Sequence, residues 1–226
     1  MNRPASNRSW PARFAAGAIA ALAYLAPLLS GAHTLNADTK LGLTLNPGRL
    51  LSDARLTWDG HQFAGWVPHQ TVSYLWPSGP FYWVADRVGL PDWVTQRLWI
   101  STLLCAAGLG VLWLLRRLGL GVSAALAGAA VYMLSPYVLA YLSRTSVMLL
   151  PWAGLPWIVG FTARAGQQRS WRWPAAVALV VATVGAVNAT ALAMIIPGPV
   201  LWLVCAAWSG QITWRSAARA AARIGM

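Results

Sequence analysis

The sequence predicts an all-α polytopic membrane protein, and three observations carry that reading. Hydrophobic residues make up 58% of the chain and charged residues only 10%, with a mean hydropathy of +0.52. The apolar residues gather into stretches close to the ~20 that cross a bilayer as a helix. Polar chemistry is confined: all five acidic residues, all three histidines and the single lysine fall between residues 33 and 97. Such a composition overrides the one or two soluble domains that 226 residues would otherwise suggest. A net charge of +12 does not point to nucleic acid, because the arginines sit in small groups between apolar stretches rather than on one basic face.

Residues 1–13 are polar, with Arg3, Arg8 and Arg13, and an apolar stretch at about 14–32 follows. A signal peptide begins in the same way. Its apolar core is shorter, however, and Ser30-Gly31-Ala32 offers no clear cleavage site, so this is read as an uncleaved first crossing. Further crossings are predicted at about 98–115, 122–142, 147–163, 174–191 and 194–208, six in all, the last two joined at Asn188-Ala189-Thr190. Pro136, Pro151, Pro156, Pro197 and Pro199 lie inside these stretches and predict kinked or broken helices. Charge sets the orientation. With the N-terminus in the cytoplasm, eleven arginines and no acid face inward, while six cations and all five aspartates face outward. The 33–97 loop then lies outside the plasma membrane. The chain stops at Ile224-Gly225-Met226, just past a basic stretch, and residues 1–226 read as the amino-terminal fragment of a larger transmembrane domain.

The outer loop is too long for a plain connection. Asn46-Pro47-Gly48 reads as an N-cap with Pro at the first helical position, opening a short helix over 47–56. Its leucines and charges separate onto two faces, which predicts that it lies along the outer leaflet. Tyr74 to Trp83 alternates aromatics with Pro and Gly, so it should re-enter or hug the interface. Pro91-Asp92-Trp93 opens the second long helix, with Asp92 at its positive end. Cys105 and Cys205 lie in apolar stretches and behave as small hydrophobes, not as a disulfide framework.

Asp38 follows the first crossing by a few residues. A loop aspartate is ordinarily a turn or cap carboxylate. At this depth it could also be a base held where a lipid-linked substrate presents its head group, with Lys40 favouring the ionised form. A lone carboxylate is a weak signal for either. Lys40, Arg49, Arg55 and Arg144 are outer cations able to meet a phosphate. Arg49 and Arg55 read better as snorkelling side chains, whereas Arg144 sits between two apolar stretches. Trp58, Asp59 and Gln70 suit sugar hydroxyls by stacking and hydrogen bonding, or simply shape a turn. The histidines lack metal-site spacing, so no metal centre is expected.

Together these residues form an ordered set: Asp38-Thr39-Lys40, Pro47-Gly48-Arg49-Leu50-Leu51, Trp58-Asp59, Gln70, Tyr74 to Phe81, Gln96-Arg97-Leu98-Trp99, and Arg144-Thr145-Ser146 with Leu149 to Trp157. The set resembles the amino-terminal part of the alpha-(1→3)-arabinofuranosyltransferase family, the AftD-like membrane glycosyltransferases of the GT-C fold. The resemblance covers nearly the whole chain. It implies a decaprenyl-phosphate-linked arabinofuranose donor and an arabinan acceptor in arabinogalactan or lipoarabinomannan. It also implies an inverting transfer at the outer face, with Asp38 as general base and Lys40 and Arg144 near the departing phosphate. No cofactor is implied, and a divalent ion is left open. Family members are far longer, and Pro77-Ser78-Gly79-Pro80 keeps only the outline of their loop motif.

A lipid transporter or flippase shares the broken helices and outer cations, but places ionisable residues near the midplane. No acid or lysine falls within any of the six stretches. A non-catalytic membrane scaffold is the other alternative.

Overall fold

The computed structural model of the protein describes residues 10–29, 31–36, 41–53, 56–58, 60, 64–65, 67, 74–142, 144–185 and 189–225. A backbone in lipid must satisfy its own polar groups, and among the described residues it does so with helices and without strands. In chain order these are α1 (Trp10–Leu29), α2 (Leu41–Leu45), α3 (Pro47–Asp53), α4 (Ser78–Arg87), α5 (Asp92–Arg117), α6 (Val122–Met133) and α7 (Pro136–Tyr141). A single 3-10 turn, Ser146–Met148, then runs into α8 (Leu149–Gln167), followed by α9 (Arg172–Val184), α10 (Ala189–Ile195), α11 (Pro197–Trp208) and α12 (Trp214–Ile224).

The axle is α5, a 26-residue helix packed against α1, α6 and α8. Gly108 lets three helices meet: a Cβ there would collide with Met133 Sδ of α6 and Ile19 Cγ2 of α1. Ring polar groups tie the helices across the apolar core, as a buried indole or phenol requires. Tyr24 Oη of α1 shares a hydrogen bond with Thr102 Oγ1 of α5 at 3.1 Å. Trp157 Nε1 of α8 donates to the Ala106 carbonyl at 2.9 Å, and Trp99 Nε1 donates to Ser146 Oγ at 3.3 Å. Tyr132 of α6 stacks on Trp152 of α8 at 4.9 Å and donates to its carbonyl at 2.8 Å.

Among the described residues, four segments are long and apolar enough to cross a membrane: Pro11–Leu29, Asp92–Arg117, Val122–Tyr141 and Ser146–Gln167. They match the first four predicted crossings. The third is interrupted at Leu134-Ser135, before Pro136, as an intramembrane proline demands. The fifth and sixth differ from expectation. Arg172–Val184 holds 13 residues, which rise only ~20 Å against a ~30 Å hydrocarbon core. The sixth is split, with α11 restarting at Pro197 and Pro199 inside its first turn. Both are short apolar helices, shorter than the ~20 residues that span a bilayer. The predicted joint at Asn188 lies outside the described residues. Pro156 sits inside α8 without ending it.

The outer loop folds partly as predicted. Asn46 Oδ1 accepts from the Arg49 amide at 3.0 Å, so α3 begins with the cap and proline that the sequence shows. The helix stops at Asp53, and Leu56 already turns back onto the Asp53 carbonyl at 2.9 Å. Part of its apolar side packs on protein: Leu51 reaches Gly79 of α4 so closely that a Cβ there would sit 2.9 Å from Leu51 Cδ2 and 2.7 Å from the Tyr74 carbonyl. The aromatic stretch becomes α4, with Tyr82 and Ser78 each only 2% exposed and Trp76 and Trp83 toward the surface. The basic stretch after the sixth apolar segment is also a helix, α12, which sequence reading left unassigned. Ala217 and Ala220 bury its small face against α8, α9 and α11, and Thr213 Oγ1 caps it by accepting from the Ser216 amide at 3.2 Å.

Candidate functional site

The N-terminal end of α5 holds the start of the loop that carries Asp38. Gln96, 2% exposed, reads the Asn36 backbone from both sides: its Oε1 accepts from the Asn36 amide at 2.7 Å and its Nε2 donates to the Asn36 carbonyl at 3.1 Å. Arg97, 4% exposed, donates to the carbonyls of Gly31 at 2.5 Å, Thr34 at 2.8 Å and Trp93 at 3.1 Å, and to Thr34 Oγ1 at 3.1 Å. Its guanidinium also lies 5.3 Å from the Trp93 ring, which faces His33 at 5.2 Å. Burying an arginine is tolerable only when its donors are spent. Here they are spent on pinning residues 31–36 to the helix. Sequence reading took Arg97 as one outer cation among six and gave Gln96 no role. The available signal was a Gln-Arg pair set into the start of an apolar helix.

Asp38 and Lys40 lie outside the described residues, as do Asp59 and Gln70. Both flanks of Asp38-Thr39-Lys40 are described: Asn36 in the Gln96 grip on one side, and α2 on the other, with Leu43 and Thr44 buried. Trp58 is 60% exposed and its indole fills the space that a Cβ at Gly65 would take. Arg144 is exposed in the turn between α7 and α8, its amide donating to the Tyr141 carbonyl at 3.2 Å. Arg49 pairs with Asp53 of its own helix at 3.3 Å, both well exposed, which fits the surface reading of Arg49. Trp58 and Arg144 lie on elements separate from the Gln96–Arg97 grip, one in the loop before α4 and the other in the turn between α7 and α8. Among the described residues no three His, Cys, Asp or Glu side chains gather as a metal centre would need.

One turn below Gln96 along α5 a groove of ≈ 460 Å³ opens between α5, α8 and α9. Pro77 and Phe81 form its outer rim, Trp99, Thr102 and Ala106 one wall, and Trp157 its deep end. The lining is almost wholly apolar, and Thr102 spends its hydroxyl on Tyr24 and on the Leu98 carbonyl. Water gains little in such a space, and an apolar chain gains its full transfer free energy.

These features meet known proteins at this point. A curated alpha-(1->3)-arabinofuranosyltransferase of Mycobacterium tuberculosis is 42% identical over 176 residues, covering 74% of this chain and 12% of its own length. Its counterpart from Mycolicibacterium smegmatis is 40% identical over 177 residues, covering 76% of this chain and again 12% of its own length. Cryo-EM structures of arabinofuranosyltransferase AftD from mycobacteria share the fold with a TM-score of 0.83. A mutant form is 30% identical across 99% of this chain and 17% of the solved one; another is 31% identical across 94% and 16%. The chain therefore spans about 12% of the length of the curated relatives it matches. The model of alpha-(1->3)-arabinofuranosyltransferase, N-terminal GT-C domain, matches residues 21–223, and the chain belongs to that family.

Proposed function

We propose that the chain forms the outer catalytic face of a membrane arabinofuranosyltransferase, moving arabinofuranose from decaprenyl phosphate to an arabinan of the cell wall. Family membership supports the reaction class. The observation that carries the site is the grip of Gln96 and Arg97 beside an apolar groove. Asp38 follows Asn36 by two residues, a reach of at most about 7 Å. Its carboxylate takes the proton from the acceptor hydroxyl as that oxygen bonds to the anomeric carbon. The anomeric bond to phosphate oxygen breaks, and its electron pair leaves with decaprenyl phosphate, inverting the centre. Lys40 and Arg144 hold the charge that develops there. Trp58, Asp59 and Gln70 take the sugars by stacking and hydrogen bonding. A phosphate leaving group needs no general acid, so one carboxylate suffices where glycosidases need two. No cofactor enters this step.

The isoprenoid chain lies in the groove. Filling it with Ala106→Phe should raise the KM for lipid donor about tenfold, a loss of ~1.4 kcal/mol, while kcat stays near its starting value. Transfer from a radiolabelled lipid donor by membranes carrying each form measures both constants. An unchanged KM would place the lipid chain elsewhere.

The loop faces outward from the plasma membrane in this reading. With Cys105→Ala and Cys205→Ala as background, a membrane-impermeant maleimide should label Thr57→Cys in intact cells and Gln167→Cys only after permeabilisation. Thr57 and Gln167 are both exposed positions at opposite ends of the bundle. The reverse pattern would overturn the orientation.

A further inference from the structure

The end of the bundle opposite the candidate site carries a cluster of positive charge with no acidic residue in its own part of the chain. Arg164, in the last turn of α8, stands 5.1 Å from the Trp173 ring, and Arg172 stands 5.8 Å from the same ring. Arg223, in the last turn of α12, stands 4.9 Å from Trp171 and donates to the Arg169 carbonyl at 3.2 Å. Three guanidinium groups from three helix ends, those of α8, α9 and α12, thus lie over two tryptophans, with Arg169 in the turn beside them. No Asp or Glu occurs anywhere in residues 93–226. The C-termini of α8 and α12 each offer only about half a negative charge, which leaves most of the four positive charges uncompensated. Arg164 Nε is buried and has no hydrogen-bond partner among the described residues.

Arginines that merely set topology would stand apart in water, free to turn away from one another. Here three are stacked on rings, and Arg164 and Arg223 are half-buried, which costs free energy until an anion compensates the charge. Guanidinium forks match phosphate oxygens. The surroundings say which phosphate: Trp171, Trp208 and Trp214 are 64%, 82% and 59% exposed at this end, as rings in a headgroup layer are. Beside them an apolar groove of ≈ 320 Å³, lined by Val200, Val204 and Trp214, runs along α12. We infer that Arg164, Arg172 and Arg223 bind the phosphate headgroup of an anionic phospholipid in the adjoining leaflet, with α12 lying in that interface. The inference does not depend on the transferase reading.

The test uses the purified, delipidated protein titrated with phosphatidylglycerol or phosphatidylcholine in mixed micelles, read by native mass spectrometry and thermal unfolding. Phosphatidylglycerol should be retained and should raise the unfolding midpoint, and phosphatidylcholine should not. The double variant Arg164→Gln/Arg223→Gln should bind phosphatidylglycerol about thirtyfold more weakly, at roughly 1 kcal/mol for each charge removed near an anionic surface. Arg116→Gln/Arg117→Gln removes equal charge from the same side and should keep most of the binding. Should the first double variant fail to fold, Arg223→Gln alone makes the comparison from the last turn of α12. Equal losses in the two double variants, or equal binding of the two lipids, would overturn the site. So would inorganic phosphate reproducing the stabilisation, since the bound group would then be a free anion.

Discussion

Asp38→Asn is expected to lower arabinose transfer roughly 10²–10⁴-fold, the usual worth of a general base. The change keeps the side chain's shape and removes its basicity, so the protein should still fold and bind its lipid donor, leaving KM close to its starting value. Two other aspartates of the same loop supply the contrast. Asp53 is tied to Arg49 on an exposed helix face at 3.3 Å, and Asp86 lies exposed on α4. Exposed pairs of this kind contribute ~0–1 kcal/mol, so Asp53→Asn and Asp86→Asn should transfer within a few-fold of the unaltered protein. Membranes carrying each variant, given a radiolabelled lipid donor and matched for protein content and thermal stability, make the comparison. Near-normal transfer by Asp38→Asn would make that residue a turn carboxylate and move the base elsewhere.

Much of the fold was legible because lipid leaves the chain few choices. Apolar runs bounded by arginines gave the first four spans within a few residues, and Asn46-Pro47 gave the start of α3, since a cap and a fixed φ act locally. What escaped was tertiary. The fifth and sixth stretches have the composition of crossings, but α9 ends at Val184 and Pro197 restarts the chain, so length in sequence overstated length in space. Helix α12 reads as a basic tail until Ala217 and Ala220 are seen packed against three helices. The leucines of α3 were read as facing lipid, yet Leu51 abuts Gly79, a neighbour 28 residues away in the chain that no periodicity announces. For the site, sequence could nominate Asp38 by depth and charge. Gln96 and Arg97 entered only as members of the resembling set, and their grip could not be read, because most of their partners are backbone atoms 60 to 66 residues away, and backbone carries no sequence signature.

Arg97→Met tests whether that grip matters. The methionine keeps much of the side chain's length and apolar contact, and loses every donor. The Gly31, Thr34 and Trp93 carbonyls and Thr34 Oγ1 then lose their shared partner. Gly31 and Thr34 are exposed enough for water to replace part of the loss, so the cost should be about 3 kcal/mol rather than the full sum of four charge-assisted bonds. In a chain of this size that corresponds to a fall in Tm of about 6–12 °C. Arg97→Lys keeps the charge but lacks the planar fork, and a compact ammonium cannot span the carbonyls of Thr34 and Gly31 together, so it should recover only part of the stability. Gln96→Ala, losing two bonds to one residue, should cost less than Arg97→Met. Hydrogen exchange separates local from global effects: amides of residues 31–36 should exchange faster in Arg97→Met, while those in the middle of α5, around Ala107 and Val111, stay protected. Transfer activity should fall with the loosening of 31–36, because a base serves only if it is held where donor and acceptor meet. Unchanged exchange at 31–36 together with normal Tm would show that the loop is held by other contacts and that Arg97 is merely buried there.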